Sequence, residues 1–402
     1  MKAVMYGAGN IGRGFIGQVF ARSGCELTFI DVVEPVVNAL NRDRRYPVRI
    51  LSEAGCQDQW VEGVGAIDGR DTEAAARAIA EADIAATAVG VRALPLIAPV
   101  IAAGLSRRFA AIGNQSIKPL NIIICENLID ADAVLERLIK EHLSEDDRKM
   151  FDKNTGLVRA SIGRMVPVQT AEMQDGNPLR VCVEPYDTLP VEKAAFRGEI
   201  PSLTGMYPAD NFDFYIKRKL FIHNLGHTIC AYLGLIRGDT FIYETAGHGG
   251  ILYIAQNAML ESALALSSQY GESFTDLHSH IRDLLKRFSN KALGDTCARV
   301  GLDTARKLGN KDRFIGALQC CAETGVAPVF IAAGTAAALF FYLKETNASQ
   351  NREAALAVLK EVSALAGASP ETEKILLFHS IFVSSIPSGN FDAIIEGIIQ
   401  NS

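Results

Sequence analysis

Short apolar runs alternate with longer periodic segments through the first half of the chain. The runs are typical of buried strands, and segments in which apolar residues recur every three to four positions are typical of helices. Strands are predicted over residues 3–6, 27–30, 83–89, 109–112 and 121–125, with helices over 11–23, 34–41 and 130–141. Because strands that alternate with helices build parallel sheets, this half is predicted to be an α/β domain with a doubly wound sheet.

The pattern changes towards the middle of the chain. Between residues 157 and 191 there are short strand-like runs with turn residues, one of them over 180–184. From residue 211 onward helical periods dominate, over residues 212–233, 251–270, 274–288, 313–323, 328–344, 352–366 and 372–383. We therefore expect a first domain over residues 1–195 and an all-helical second domain over residues 196–402.

The composition is that of a globular protein with a substantial core. Hydrophobic residues make up 49% and charged residues 21% of the 402 positions. The net charge of −6 argues against a general nucleic-acid-binding protein, although it leaves room for a local basic pocket. The eight cysteines form no CxxC pair, so we expect buried, reduced thiols in a cytoplasmic protein.

No membrane segment is expected. The N-terminus leads into a strand-like run and glycines rather than into a signal-peptide pattern. Residues 325–343 are almost wholly apolar and about long enough to span a bilayer. Because this segment contains Pro328 and Gly334 and stands alone, we interpret it as a buried helix.

A glycine-rich turn follows the first predicted strand and opens the first predicted helix. The six residues of the turn, all candidates for cofactor binding, are Gly7-Ala8-Gly9-Asn10-Ile11-Gly12. In this GxGxxG pattern, Gly7 permits a tight turn, Gly9 lets the backbone approach a pyrophosphate, and Gly12 lets the helix pack on the strand. The helix N-terminus then offers free amides to the phosphates.

Asp31 directly follows the second predicted strand. Its carboxylate can accept hydrogen bonds from the adenosine ribose, and its charge would repel a 2′-phosphate, which favours NAD over NADP. The alternatives are a flavin or another nucleotide, or a sensor that binds NAD without turnover. Thr87 and Val89 end a later strand and are candidates for contact with the nicotinamide half, unless they form a plain connecting loop.

Two histidines resemble the ligand pair of a zinc-binding helix. His223 and His227 have the spacing of the HExxH motif, but Asn224 stands where the glutamate would be. No Cys/His cluster in the sequence supplies further ligands. We therefore expect hydride chemistry without a metal.

Without a metal, a lysine with a lowered pKa is a natural base for a hydroxyl proton. On one α-helix, Lys219, Asn224 and His227 share a broad face over about two turns. Lys219 would take the proton, Asn224 would donate to the oxygen, and His227 would orient the substrate. By spacing alone, an amphipathic helix with a surface lysine and a core histidine explains the same pattern.

Two motifs resemble those of the polyol-specific long-chain dehydrogenases. They are GAGNIGRGFIG near the N-terminus and KLFxxNxGHxxxAYLG from Lys219 onward. The resemblance implies a Rossmann-type domain, a helical C-terminal domain, and reversible, zinc-independent hydride transfer between NAD and a polyol or its phosphate. It also implies that Lys219 is the general base, that Asn224 helps to form an oxyanion hole, and that Asn127 is a second oxyanion donor.

The resemblance further marks basic positions in the second domain. Arg299 and Lys307 match substrate-contacting positions, and together with Arg306 they would suit a phosphate. By charge alone, this stretch would be a solvated helix end. The family includes monomers, and we expect a monomer or homodimer that acts on a small polyol or sugar phosphate, with no nucleic-acid or membrane partner.

Two departures from the family pattern concern the substrate. The family commonly has an Asp-Arg-Ile/Met run whose aspartate contacts substrate, and here the run is Gly163-Arg164-Met165. A family stretch with a Glu-Trp pair is replaced by Asp187-Thr188-Leu189. Another sugar phosphate, a free polyol or a sugar acid therefore stays open as the substrate.

Overall fold

The chain forms two compact units in the computed structural model, Met1–Phe212 and Asp213–Ser402. The structure describes residues 1–52, 54–111, 118–128, 130–365 and 369–402. The division falls later than the expected boundary near residue 195. Phe196 and Leu203 are buried in the core of the first unit, and the strand Met206–Ala209 pairs with Leu189–Glu192. These contacts join the segment after residue 195 to the first unit.

A parallel sheet organises the first unit. The strands of this unit are β1 (Lys2–Tyr6), β2 (Glu26–Asp31), β3 (Arg45–Ser52), β4 (Gly55–Glu62), β5 (Val64–Asp68), β6 (Ile84–Thr87), β7 (Leu120–Ile124), β8 (Thr155–Arg159), β9 (Val181–Val183), β10 (Leu189–Glu192) and β11 (Met206–Ala209). The main sheet has the order β5–β2–β1–β6–β7–β8, and all its pairs are parallel. The order reverses between β1 and β6, which is where such sheets bind nucleotides, beyond the carboxyl ends of the strands.

Helices cover both faces of this sheet. They are α1 (Gly17–Arg22), α2 (Glu34–Asp43), α3 (Thr72–Glu81), α4 (Leu94–Ala110), α5 (Ala131–Lys140), α6 (Glu145–Asn154) and α7 (Ala171–Gln174). Along β1, Ala3 and Met5 enter one core, and Val4 and Tyr6 enter the other. Successive side chains of a strand point to opposite faces, so the central strand is buried on both sides. The predicted doubly wound sheet is confirmed.

The strand predicted over residues 109–112 was wrong. Phe109 belongs to the last turn of α4, where it is buried, and Ile112 lies outside the described residues. A short apolar run does not distinguish a strand from the end of a buried helix. The hairpin of β3 and β4 was not predicted, because the β4 side chains are mostly exposed and polar and carry no apolar alternation.

The second unit is helical, as predicted. Its helices are α8 (Phe212–Arg218), α9 (Leu225–Arg237), α10 (Ile242–Ala246), α11 (Gly249–Tyr270), α12 (Phe274–Phe288), α13 (Cys297–Gly301), α14 (Thr304–Lys307), α15 (Ile315–Thr324), α16 (Val329–Glu345), α17 (Arg352–Glu361), α18 (Pro370–Ser385) and α19 (Phe391–Gln400). The helix predicted over residues 352–366 ends earlier, at Glu361, and Ala366 lies outside the described residues. The helix predicted over 212–233 is α8 and α9 joined by a π-helical segment, Lys219–Asn224.

The apolar segment over residues 325–343 forms most of α16, which packs against α9, α11 and α18. Its side chains from Ile331 to Leu339 are buried, so the prediction of a core helix is confirmed. Among the described residues, Val91–Ala110 is the helix whose length and composition would suit a membrane. More than half of this helix is buried, as is also the case for a helix that packs on a sheet.

A buried carboxylate holds the start of α16. Glu261 on α11 accepts hydrogen bonds from the backbone N–H of Phe330 at 2.8 Å and of Ile331 at 2.9 Å. Burial raises the pKa of Glu261 to about 7, although these two amides pull it in the other direction. A folded-state pKa above the unfolded value means that ionising the group in the folded protein costs stability.

We predict that Glu261 makes the second unit less stable as the pH rises. Relative to Glu261→Gln, the wild type loses on the order of 1–3 kcal/mol of unfolding free energy between about pH 5 and pH 8, because its carboxyl ionises while buried. Thermal unfolding of both proteins across this range measures the difference. Glu323→Gln, at an exposed position on α15, is the control. Parallel curves for wild type and Glu261→Gln would contradict the prediction.

Candidate active site

The glycine turn lies where β1 meets β6. Gly7 has a φ of +102°, and a Cβ there would lie 2.5 Å from the carbonyl oxygen of Ala88. A Cβ on Gly12 would overlap the carbonyl oxygen of Gly7. A Cβ on Gly9, in contrast, would meet no atom within 4 Å. The turn therefore packs tightly against the protein at Gly7 and Gly12 and leaves free space at Gly9. A phosphate group needs such free space to approach the backbone.

The other turn residues extend this open side. Asn10 is exposed and Ile11 is half-buried, whereas Ala8 packs into the core. The helix that follows begins with a π-helical segment, Gly12–Ile16, before α1. π-helical segments are uncommon and are frequent at functional sites. Sequence reasoning predicted a helix here and missed this wider turn.

Arg13 hydrogen-bonds the glycine turn from its buried side, a role that the sequence did not predict. Its side chain is buried; Nε donates to the carbonyl of Ala8 at 2.6 Å, and Nη1 donates to the carbonyl of Leu179. Tyr46 donates to the carbonyl of Arg13 at 2.9 Å. Burial lowers the pKa of Arg13, but guanidinium groups stay charged in proteins. The turn thus has a fixed positive charge behind it.

Asp31, at the end of β2, reaches back to the same turn. One carboxylate oxygen accepts from the N–H of Ala8 at 2.6 Å, and the other accepts from the N–H of Val33 at 2.9 Å. An ionised carboxylate has about four acceptor positions, so two remain for a ligand. The carboxylate is partly exposed and oriented by two backbone amides.

Thr87 and Val89 share a partner that sequence reasoning missed. The hydroxyl of Thr87 donates to one oxygen of Glu126 at 2.7 Å, and the N–H of Val89 donates to the other at 3.1 Å. Burial raises the pKa of Glu126, while these donors oppose the rise. Asn127 follows directly and is exposed. Glu126 therefore ties together the carboxyl ends of β6 and β7, beside a shallow cleft of about 470 Å³ that includes Val89.

In the second unit, the π-helical segment Lys219–Asn224 contains two of the predicted site residues. A π-helix bonds residue i to residue i+5, so Lys219 and Asn224 are neighbours on successive turns. On an α-helix of 100° per residue they would be about 140° apart. Both side chains are half-buried. The wider turn therefore brings the predicted base and the predicted oxygen donor closer together than the sequence implied.

His227 lies on the first turn of α9 and faces Asp295. Nε2 of His227 lies 3.2 Å from Oδ2 of Asp295. This is an ion-pair distance, and within the described residues Nε2 makes no hydrogen bond. Arg299 donates to both oxygens of Asp295 at 2.7 Å. The structure thus brings His227 and Arg299 to one carboxylate, which the sequence did not reveal.

His223 does not share a ligand set with His227. His223 is buried, and burial holds its pKa well below the usual range, helped by the nearby charge of Arg287. Within the described residues, no group of three or more His, Cys, Asp or Glu side chains could hold a metal ion. His223 therefore belongs to the core beside the candidate site, where its ring lies 5.9 Å from that of Phe288.

Lys307 and Arg306 form a second cluster with Arg313. Lys307 is 4% exposed, and in the described part of the chain its ammonium has no hydrogen-bond partner. Burial and the charges of Arg313 and Arg306 lower the pKa of Lys307 to about 8. Arg313 donates to Asp312 at 2.8 Å and to the hydroxyl of Thr228 at 3.1 Å. The three cations outnumber the two carboxylates that face them, Asp312 and Asp303, which suits an anionic group.

The structure gives a local reason for the departure at Gly163. A Cβ on Gly163 would lie 3.0 Å from the ring of Tyr186, so Tyr186 fills the space in which a side chain would stand. The neighbouring Arg164 is buried and donates to the carbonyl of Gly14 at 3.0 Å and to Gln18 at 2.6 Å. Arg164 therefore supports the nucleotide-turn helix rather than substrate.

Asp187, in the second departure from the family pattern, forms an ion pair within the first unit. Its carboxylate accepts from Arg22 at 3.0 Å, on the surface of the first unit. Leu189 is buried as the first residue of β10, so the Asp187-Thr188-Leu189 stretch connects an exposed ion pair to the core.

Family models match nearly the whole chain. The mannitol dehydrogenase Rossmann domain matches residues 1–205, and the mannitol dehydrogenase C-terminal domain matches residues 211–396. The chain belongs to the mannitol dehydrogenase family. Both motifs described above lie inside these matches, one in each domain.

Curated relatives in this family are similar over most of their length. A mannitol-1-phosphate 5-dehydrogenase of Brevibacillus brevis is 37% identical over 89% of this chain and 90% of the relative. One from Geobacillus thermodenitrificans is 38% identical over 85% of this chain and 87% of the relative. The prediction of a dehydrogenase in this family is confirmed, as is the NAD cofactor at the level of the family.

Solved structures of mannitol dehydrogenase relatives share the fold. A D-sorbitol dehydrogenase matches 98% of this chain and 94% of its own with a TM-score of 0.80 at 16% identity. The mannitol 2-dehydrogenase of Pseudomonas fluorescens, solved with NAD and D-mannitol, matches 100% of this chain and 95% of its own with a TM-score of 0.76 at 15% identity. These likenesses confirm the two-part fold of the family.

We predict that Asp31→Ser relaxes discrimination against NADPH. The ratio of kcat/KM for NADH to that for NADPH falls by about ten-fold or more, because a carboxylate–phosphate repulsion worth about 1.4 kcal/mol or more is removed. Steady-state kinetics with both cofactors measure the ratio. Asp71→Ser is the control, since serine keeps the helix cap that Asp71 provides at the start of α3. Equal use of both cofactors by the wild type would contradict the role of Asp31.

Proposed function

We propose that this protein is an NAD-dependent, metal-independent dehydrogenase that interconverts D-mannitol 1-phosphate and D-fructose 6-phosphate in the cytoplasm. The observation that carries the proposal is the placing of Lys219 and Asn224 on one π-helical turn, followed at once by His227. The curated relatives named mannitol-1-phosphate 5-dehydrogenase support the same substrate pair. In this proposal the first unit binds NAD, and the second unit binds substrate and supplies the base.

The nucleotide turn fits NAD. Open space at Gly9 admits a pyrophosphate, and the following helix offers its first amides to the negative charge. Asp31 keeps acceptor positions for the two hydroxyls of an unphosphorylated ribose. Glu126 holds Thr87 and Val89 beside the sheet reversal, where the half-buried Val89 contacts the nicotinamide half, whereas Thr87 is buried and supports it through Glu126. Bound NAD supplies the hydride acceptor.

Lys219 acts as the general base. It takes the proton of the alcohol as the carbon loses its hydride, so the substrate leaves as a ketone and the ammonium carries the proton. Asn224 donates to the developing alkoxide from the neighbouring turn. Asn127 is the second donor, on the strength of the family resemblance and of its exposure after β7. No metal is required, because a lysine and two amides supply both the base and the oxyanion donors.

The basic residues divide into two roles. Arg299 lies beside His227 through Asp295 and contacts the polyol hydroxyls. Lys307, together with Arg306, binds the phosphate, because its buried ammonium has no partner of its own. A phosphate there would hold Lys307 in its charged form, since an adjacent anion favours the ammonium.

A second candidate substrate is a polyol, sugar phosphate or uronate other than mannitol 1-phosphate. The observation that favours it is Gly163, where the ring of Tyr186 replaces the carboxylate typical of the family. The hydride chemistry and the role of Lys219 would be the same. A protein that binds NAD without turnover is the remaining alternative, and it gives Lys219 no role.

We predict that Lys219→Ala abolishes most turnover while NADH still binds. Loss of a general base lowers kcat by about 10²- to 10⁴-fold. Steady-state NADH oxidation with fructose 6-phosphate measures turnover, and fluorescence titration measures NADH affinity. Lys217→Ala is the control, since Lys217 lies on α8 and interacts with Asp213. Chelators are expected to leave wild-type turnover unchanged.

Two outcomes would overturn this assignment. If kcat is unchanged in Lys219→Ala, Lys219 is not the general base. If chelation abolishes activity, the mechanism uses a metal. Absence of NADH oxidation by the wild type with any ketose, ketose phosphate or keto acid leaves the NAD-binding sensor as the function.

We predict that Lys307→Met separates phosphorylated from free substrate. The KM for fructose 6-phosphate rises by about 10- to 100-fold, because a charge-assisted hydrogen bond worth about 1.5–3 kcal/mol is lost. Activity on free fructose at high concentration stays within about two-fold of the wild type, since fructose has no phosphate for Lys307 to bind. NADH oxidation with both ketoses measures the difference. Lys311→Met removes an exposed cation nearby and is the control. An equal loss on both ketoses would contradict a phosphate role.

A further inference from the structure

Two side chains from separate helices of the second unit converge on Asp295. His227 comes from α9, Arg299 comes from α13, and Asp295 lies in the connection before α13. Nε2 of His227 lies 3.2 Å from Oδ2 of Asp295, and Arg299 donates to both carboxylate oxygens at 2.7 Å. Neither Asp295 nor its contact with His227 was foreseen from the sequence.

The surroundings leave the imidazole of His227 little freedom. Its ring stacks on Phe288, with centroids 4.8 Å apart and planes 12° from parallel. The stacking fixes the ring plane, and Nε2 is buried against Asp295. The Asp295 side chain is only 9% exposed.

Asp295 is held as an anion. Burial by itself would raise its pKa, but the neighbouring His227 and the hydrogen bonds from Arg299 outweigh this and lower the pKa to about 2. An ionised carboxylate only accepts hydrogen bonds, so the imidazole nitrogen that faces it must carry the proton. In neutral His227, the proton is then on Nε2, and Nδ1 is the acceptor.

We propose that Asp295 is a positioning residue that holds His227 as the Nε2–H tautomer, so that Nδ1 accepts a hydrogen bond from a substrate hydroxyl. The inference rests on the proposed function, in which His227 orients the substrate. The partner of Nδ1 is a hydroxyl of the polyol, because a hydroxyl can donate to a neutral imidazole while a carbonyl cannot. The carboxylate is the orienting group, as in other sites where a second group fixes a histidine tautomer.

The same carboxylate aligns Arg299. Arg299 has five guanidinium N–H donors. It uses two of them to hydrogen-bond Asp295, and three remain for substrate. The Arg299 side chain is 42% exposed, so these donors are accessible. The Asp295 carboxylate therefore orients both His227 and Arg299, which contact the polyol in this proposal. Replacing Asp295 disturbs the orientation of both side chains and leaves the side chains themselves in place.

The test is a double-mutant cycle between Asp295 and His227. We expect Asp295→Asn to lower kcat/KM by about ten-fold or more in the wild-type background, and by about three-fold or less in a His227→Gln background, where only the loss of Arg299 alignment remains. NADH affinity and thermal stability are measured for every variant. Asp283→Asn, which removes a surface carboxylate that also pairs with an arginine four residues on, is the control.

A purely structural role for Asp295 predicts a different result. The factor lost on Asp295→Asn would then be the same in both backgrounds, and this outcome overturns the proposal. The cycle uses whichever ketose the wild type reduces fastest, with Lys219→Ala run in parallel. Full activity in Lys219→Ala identifies a failure of the proposed function, whereas an additive cycle with inactive Lys219→Ala identifies a failure of this inference alone.

A second measurement needs no variant at position 295. The ring nitrogens of the seven histidines are observed by ¹⁵N NMR in the wild-type protein, and the His227 signals are assigned by their absence from His227→Gln. We expect the neutral Nε2–H tautomer for His227. A neutral Nδ1–H tautomer, or a doubly protonated ring at neutral pH, would overturn the proposal even if Asp295→Asn failed to fold.

Discussion

The close approach of backbone segments at the carboxyl ends of β1 and β6 is the constraint on which the first unit depends. Gly7 must pass the carbonyl of Ala88, and Gly12 must pack on the carbonyl of Gly7, so neither position has room for a Cβ. This packing leaves Gly9 facing outward and places the helix N-terminus at the reversal of strand order. The shape that admits a dinucleotide is thus a consequence of how tightly the turn closes on its other side.

Buried charges support both units, and almost all of them are paired. Arg13 and Glu126 are satisfied by backbone carbonyls, amides and a hydroxyl, so the nucleotide end of the sheet is rigid before any ligand arrives. Asp295 is likewise held by Arg299 and faces His227. Lys307 differs, since burial and the charges of Arg313 and Arg306 lower its pKa more than Asp303 and Asp312 raise it. Buried charges are costly unless paired, and this is the basis on which we propose Lys307 as a phosphate-binding residue.

Both motifs occur on π-helical segments, Gly12–Ile16 and Lys219–Asn224. A π-helical turn widens the helix locally and shifts which residues are neighbours. In the first unit the π-helical segment follows the closely packed glycine turn. In the second unit the π-helical segment makes neighbours of Lys219 and Asn224, which are five residues apart. At position 163, in contrast, the local packing is set by the ring of Tyr186, which lies 3.0 Å from where a Cβ would stand.

The sequence by itself determined the α/β and helical halves, the nucleotide turn with Asp31, and the Lys219, Asn224 and His227 set, because these depend on residues close together in the chain. It misplaced the strand at Phe109, where a short apolar run has no distinctive period, and it missed the β3–β4 hairpin. Only the tertiary structure decided that Asp295 meets His227, sixty-eight positions away by number, and that Lys307 is buried beside Arg313. Such contacts form when separate helices pack together, and no local spacing or periodicity encodes which side chains will then face each other.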